Sequence, residues 1–307
     1  MSSDEGLFKA YSILKQGDVT RAKQVLTGVL EYDLDNKEVK FAVWCCSFWE
    51  DYIHQFATQD AYEQGEGLTN HWKQFLFALR KQREPVERTL YAVQTGIFLL
   101  ALQNFTQLDE DHAPVQKAEV YRKIGLCYKK LGQYDHALEK LIEANALLAN
   151  NAGILAEMAD CYALCGEERN AKVLFREAFF VGATRVDLDF LDSELICCLV
   201  RQVQEHGYSG QALQEWVPVY GILYGIFNIR RELRSQEVGH LKQEIFACEN
   251  ELRDPSCDTA TTTPRLINMY FWLIDHYVRT ENGSEKINEI LLRIKILDRN
   301  NYDLYVK

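Results

Sequence analysis

An all-α chain assembled from tandem helical hairpins is what this sequence predicts, on three observations. Residues 121–151 (YRKIGLCYKKLGQYDHALEKLIEANALLANN) run without a gap into 152–185 (AGILAEMADCYALCGEERNAKVLFREAFFVGATR), and an offset of 34 brings the two into register. Gly125 falls on Ala159, Tyr128 on Tyr162, Gly132 on Gly166, Ala137 on Ala171, Leu141 on Phe175 and Ala144 on Ala178. The apolar residues of each copy recur at the helical period, in two runs separated by a glycine. With 5 prolines and 17 glycines in 307 residues, punctuation is too sparse for many short strands and suits long helices.

Each copy reads as a helix–turn–helix unit. In 118–151, Tyr121, Ile124, Leu126, Tyr128 and Leu131 form one face, Gly132-Gln133 interrupts, and Ala137, Leu138, Leu141, Ile142, Ala144 and Leu148 form the next. Gly125 and Ala137 are small enough for two helix backbones to approach closely, and Tyr128 and Leu141 fill the space around that contact. Gly132 supplies the positive φ that ends the first helix. One such unit cannot bury its apolar faces alone, but stacked copies can.

The pattern resembles the tetratricopeptide repeat (TPR), a 34-residue helical hairpin. The resemblance assigns repeat-packing roles to Gly125, Tyr128, Ala137 and Ala144 in 118–151, and to Ala159, Tyr162, Ala171 and Ala178 in 152–185. The proline that closes many such repeats is missing, with Ala149 and Ala183 in its place. Weaker copies occupy 3–36 (Gly17, Ala22, Leu26, Val29), 193–226 (Leu199, Val203, Gly207, Ala212, Trp216, Val219) and 269–302 (Trp272, Gly283, Leu292). In the last of these Asn288 replaces the small alanine. The implied architecture is a right-handed superhelical solenoid, continuous over 1–307. Within it, 37–117 forms degenerate helical units, 186–192 a longer turn, 227–263 a charged helix and loop, and 264–302 a C-terminal hairpin. Pro85 is expected in the first turn of a helix running to about Leu102, and DPSCDTATTTP (254–264) as a loop.

Composition narrows the function. A net charge of −11 argues against a nucleic-acid binder, which carries a basic footprint. The longest apolar run, GIFLLAL at 96–102, is far below the roughly 20 residues a membrane helix needs, and the N-terminus has no leader pattern. Nine cysteines, an odd number that includes the adjacent pairs Cys45–Cys46 and Cys197–Cys198, read as reduced thiols. A non-secreted, cytoplasmic protein without membrane insertion is expected.

Chemistry has no candidate constellation. His54, His71, His112, His136, His206, His240 and His276 share no ligand spacing. Cys161 and Cys165 lie four apart on one helix face, with Cys127 at the same repeat position as Cys161, but zinc motifs draw a ligand pair from a tight turn. Small apolar packing explains these cysteines, and no metal or cofactor is expected. The phosphate-loop, nucleophile-elbow and zincin motifs are absent. Glu167-Glu168 and Asp109-Glu110-Asp111 read as solvated turn residues.

In this family the first helix of each unit lines a concave groove. The resemblance places Arg122, Lys123, Leu126, Lys129 and Lys130 there from 118–151, Glu157 and Asp160 from 152–185, and Arg201 from 193–226. The basic set suits carboxylates of a partner segment, and exposed helix charge is the competing reading. No asparagine stands where the chaperone-tail carboxylate clamp of some relatives needs one, so that role is not carried over. A second surface is aromatic: Trp44, Phe48, Tyr52 and Phe56 fall four apart, with Trp49, Trp72, Phe75 and Phe77 nearby. Such a stripe is either core or interface. The expected function is a non-catalytic scaffold that binds an extended or helical segment of another protein during complex assembly. A peptide-responsive regulatory or chaperone-like adaptor is the alternative.

Overall fold

A computed structural model describes residues 2–82, 84–108, 113–229, 231–280 and 283–306. Among the described residues the chain is all-helical, without a strand. It divides into two compact units, Met1–Leu148 and Ala149–Lys307. Asp109, Glu110, Asp111 and His112 lie outside the described residues.

The first unit holds α1 (Ser3–Leu14), α2 (Val19–Leu30), α3 (Lys37–Phe56), α4 (Ala61–Leu79), α5 (Glu87–Thr106), α6 (Pro114–Lys130) and α7 (Tyr134–Leu147). Short polar side chains start most of these helices. Ser2 and Glu5 form a capping box on α1, and Asp18, Asn36 and Asp60 cap α2, α3 and α4. Pro85 lies before the first helical residue of α5, and that helix continues past Leu102 to Thr106.

In α6 and α7 the close approach read from the repeat is present. A Cβ on Gly125 would lie 2.7 Å from Leu141 Cγ and 3.2 Å from the Ala137 carbonyl oxygen. The tightest contact of the unit, however, is elsewhere. A Cβ on Gly96 of α5 would lie 1.9 Å from the Leu14 carbonyl oxygen. This glycine lets α5 pack against α1 as well as α3, α4 and α6. The aromatic stripe is internal packing. Trp49, Trp72 and Phe75 are fully buried, Trp44, Phe48, Tyr52 and Phe56 half-buried, and Phe77 exposed. His71 stacks on Tyr52 with ring centroids 3.7 Å apart, and burial lowers its imidazole pKa.

The second unit holds α8 (Ala152–Leu164), α9 (Glu168–Gly182), 3-10 turns at Ala183–Arg185 and Leu188–Phe190, α10 (Glu194–Glu205), α11 (Gly210–Leu223), α12 (Ser235–Glu251), α13 (Thr259–Arg279), α14 (Ser284–Leu297) and α15 (Arg299–Tyr305). The charged segment 227–253, read as helical, is helix only over Ser235–Glu251, its described residues before Ser235 being outside any helix, and the loop after it ends at Asp258. The Asp258 carboxylate accepts the Ala260 N–H and starts α13 ten residues before the expected repeat, so 259–264 is helix rather than loop. Helix α13 packs against α11, α12 and α14.

Gly17, Gly132, Gly166 and Gly207 occupy one repeat position, and all four have φ between 76° and 90°. Gly283, the fifth, has φ −107° and is small for a different reason: a Cβ there would lie 2.5 Å from the Tyr277 carbonyl oxygen.

A buried guanidinium ties the second unit together. Arg176 of α9 is 4% exposed, pairs with Asp275 of α13, donates to the Ile229 carbonyl at 3.0 Å, and lies over the Trp272 ring at 4.7 Å. Arg231, in the segment before α12, also faces Trp272 and donates to Glu177 of α9 and Glu237 of α12. Its own pKa is raised, because these two carboxylates outweigh its burial.

Gly96→Ala should destabilise the protein by at least about 3 kcal/mol, because a backbone oxygen blocks the methyl group. Gly28→Ala, in α2 with nothing within 4 Å of the added Cβ, should stabilise it by roughly 0.5–1 kcal/mol. Urea denaturation of the two variants checks this contrast. Arg176→Met removes the guanidinium from a buried carboxylate and should cost about 3–5 kcal/mol. In a thermal melt that is a drop on the order of 10 °C for a unit of this size.

Candidate partner-binding surfaces

The residues expected to line an open groove are mostly enclosed. Leu126 is fully buried. Lys123 has a side chain 7% exposed, and its Nζ lies 2.6 Å from Glu66 Oε2 on α4. Lys129 is 2% exposed and Lys130 is buried, with the Lys130 carbonyl accepting the Gln94 amide at 2.8 Å. Arg122 is largely covered and forks onto Glu119. Burial raises the Glu119 pKa, but Arg122 outweighs it and leaves that carboxyl below its usual range.

In the second unit Glu157 and Asp160 are also buried. Asp160 accepts the backbone N–H groups of Asp192 and Ser193, both at 2.8 Å, so a carboxylate from α8 caps the start of α10. Ser193, at the N-cap position itself, makes no side-chain cap bond. Arg201 alone of the eight is well exposed, paired with Glu194. Groove lining and exposed helix charge both need side chains open to solvent, and on α6 Lys123, Leu126, Lys129 and Lys130 are buried and Arg122 is largely covered. These positions meet neighbouring elements, and their charge is used within the fold.

An open groove of about 520 Å³ does exist in the second unit, over α13 and between α12 and α14. All three helices present residues at i, i+3, i+4 and i+7 or a subset of that spacing. Helix α12 offers Lys242, Ile245, Phe246 and Glu249; α13 offers Tyr270, Leu273 and Tyr277; α14 offers Lys286, Glu289, Ile290 and Arg293. Seven residues of helix measure roughly 10 Å, which sets the groove length at about two helical turns. Ile245, Leu273 and Ile290 make a buried apolar floor, while Phe246 stands 65% exposed at its edge.

The two ends differ in charge. At one, Lys242 and Lys286 lie 5.6 and 5.3 Å from the Tyr277 ring centroid, and among the described residues neither has a carboxylate partner. At the other, Arg293 donates to Glu249 and Glu289, and the Tyr270 hydroxyl donates to Glu249. Burial, and then that hydrogen bond, push the Tyr270 phenol above its usual range. One end is saturated, and the other holds two cations that only an aromatic face attends.

Sequence reasoning missed this groove. The buried stripe of α12 was legible at Leu241, Ile245 and Cys248, and the signal passed over was Phe246, an aromatic residue off that stripe and four residues after a lysine. Among the described residues no group of three or more His, Cys, Asp or Glu could hold a metal ion, and no helix is long and apolar enough to cross a membrane. No family model matches the chain, and no curated protein matches it.

Charge reversal separates fold from surface on the expected groove residues. Lys129→Glu should lower stability by about 3–5 kcal/mol, because a carboxylate replaces a buried cation. Arg201→Glu should change it by no more than about 1 kcal/mol. Thermal melts of both variants measure the difference.

Proposed function

We propose that this protein is a non-catalytic scaffold that binds a segment of another protein in complex assembly, through the groove over α13. The observation that carries this reading is the exposed Phe246 beside an apolar floor, with Lys242 and Lys286 at one end. Exposed aromatic residues around a concave apolar surface are what binding energy concentrates on. The complementary segment is an amphipathic helix of about two turns. It places an aliphatic side chain on the floor and a carboxylate near Tyr277, between the two lysines.

The architecture that accompanies this reading is a right-handed array of TPR-type hairpins. Its support is the left-handed glycine recurring at one repeat position in four hairpins, together with the small-residue contact at Gly125. Nine free thiols support a reducing, cytoplasmic setting.

The test starts from a partner captured on the full-length protein and continues as a binding titration. Phe246→Asp should weaken binding by about 30-fold or more, the loss typical of an interface anchor, while the melting temperature stays near that of the parent. Reversing Lys242 and Lys286 to glutamate should weaken binding most at low salt, since exposed charges are screened within roughly 10 Å at 0.1 M. Binding that survives all three substitutions would place the partner on another surface.

A further inference from the structure

A second concavity, of about 370 Å³, is bounded by the C-terminal end of α9, by α11, by α12 and by α13. That volume falls in the range of small-molecule sites. Its distinguishing feature is a pair of buried polar side chains turned towards it. Glu215 of α11 is 3% exposed, and one carboxylate oxygen accepts both Nε and Nη2 of Arg265, at 3.1 and 2.9 Å. The other oxygen makes no hydrogen bond among the described residues. Burial pushes the Glu215 carboxyl above its ordinary range, with Arg265 opposing. Asn268, one turn along α13 from Arg265, is 5% exposed, and its amide bonds to no described residue. Both residues line the cleft, so a ligand there can complete their hydrogen bonding.

The lining is bipolar. Glu215, Glu244 and the carbonyl end of α9 are negative, and Arg265 and Arg185 are positive. A simple anion would meet the two carboxylates, and a simple cation the two guanidiniums. A ligand carrying both charges on adjacent atoms satisfies each. Phe179, Phe180 and Met269 provide apolar walls beside these groups.

We propose that this cleft binds a small zwitterion of the α-amino-acid class with an apolar side chain. Its ammonium donates to the second Glu215 oxygen and to the α9 terminus. Its carboxylate accepts from Arg265 and the Asn268 amide, and its side chain lies against Phe179, Phe180 and Met269. The site is separate from the groove over α13: Glu244, Ala247 and Cys248 of α12 face the cleft, whereas Lys242, Phe246 and Glu249 face the groove.

Isothermal titration calorimetry of the full chain with L-leucine, L-methionine and L-phenylalanine tests this. At least one should bind saturably at one site per chain, with Kd below roughly 1 mM. N-acetylation, which removes the ammonium, and amidation, which removes the carboxylate, should each weaken that ligand about 10-fold or more. These two arms use the unmutated protein, so they do not depend on any variant folding. Glu215→Gln and Asn268→Leu, where circular dichroism shows the parent's helix content, should weaken binding to a similar degree. The proposal is overturned if none of the three amino acids binds. It is equally overturned if the acetylated and amidated forms bind as tightly as the parent amino acid, or if folded Glu215→Gln binds unchanged.

Discussion

The second unit is organised around a single guanidinium that cannot reach water. Arg176 has its charge at the junction of α9, α13 and the segment before α12, and burial obliges each of those elements to present something to it. Asp275 supplies a carboxylate, Ile229 a carbonyl and Trp272 a ring face. A buried ion pair gains little over an apolar replacement of the same shape, because desolvation offsets most of the Coulomb attraction. What it does impose is geometry, since a planar fork has few acceptable arrangements of acceptors. Arg231 extends that constraint to Glu177 and Glu237, fixing α12 relative to α9. The cleft and the groove both depend on that placement, because α12 forms one wall of each.

In the first unit the equivalent constraint is steric. Helix α5 meets α1 where Gly96 admits a carbonyl oxygen within less than a methyl group's reach. Dense packing tolerates such a contact only when the backbone itself is the surface. The consequence is a helix with four neighbours, and it accounts for residues 37–117 failing to keep the 34-residue register. Three long helices occupy that stretch, and the last of them packs back onto the first hairpin instead of pairing solely with its neighbours in sequence.

What was legible in the sequence follows from range. The hairpins α6–α7 and α8–α9 were readable because their determinants, a small residue at a crossing and a glycine at a turn, act over a few residues and were stated twice. The fates of Lys123 and Asp160 were not. Lys123 meets a glutamate 57 positions earlier, and Asp160 caps a helix 32 positions later. No local periodicity distinguishes a lysine that points into solvent from one that folds onto another helix. The start of α13 was missed for the opposite reason. Asp258 is a good N-cap and the prolines around it suggested a loop, but Pro264 stands six residues inside the helix, which gives up one intrahelical bond there and continues past it.

Helix α12 shows how a charged, unremarkable segment comes to carry the most specific surface of the molecule. Its apolar stripe, Val238, Leu241, Ile245 and Cys248, is spent on packing against α13. Packing one narrow stripe leaves the flanks of the helix on either side as walls. One flank carries Phe246 and two charges of opposite sign, and the other carries Glu244 beside the buried Glu215–Arg265 pair. Several polar groups of this unit find partners within the fold: Arg231 two carboxylates, Glu249 a phenol and a guanidinium, Asp160 two backbone N–H groups. The Glu215–Arg265 pair and Asn268 differ from these in lining a cleft. Polar groups that border an open volume stay available to a ligand, and recognition of one with complementary charges is a use the cleft offers them.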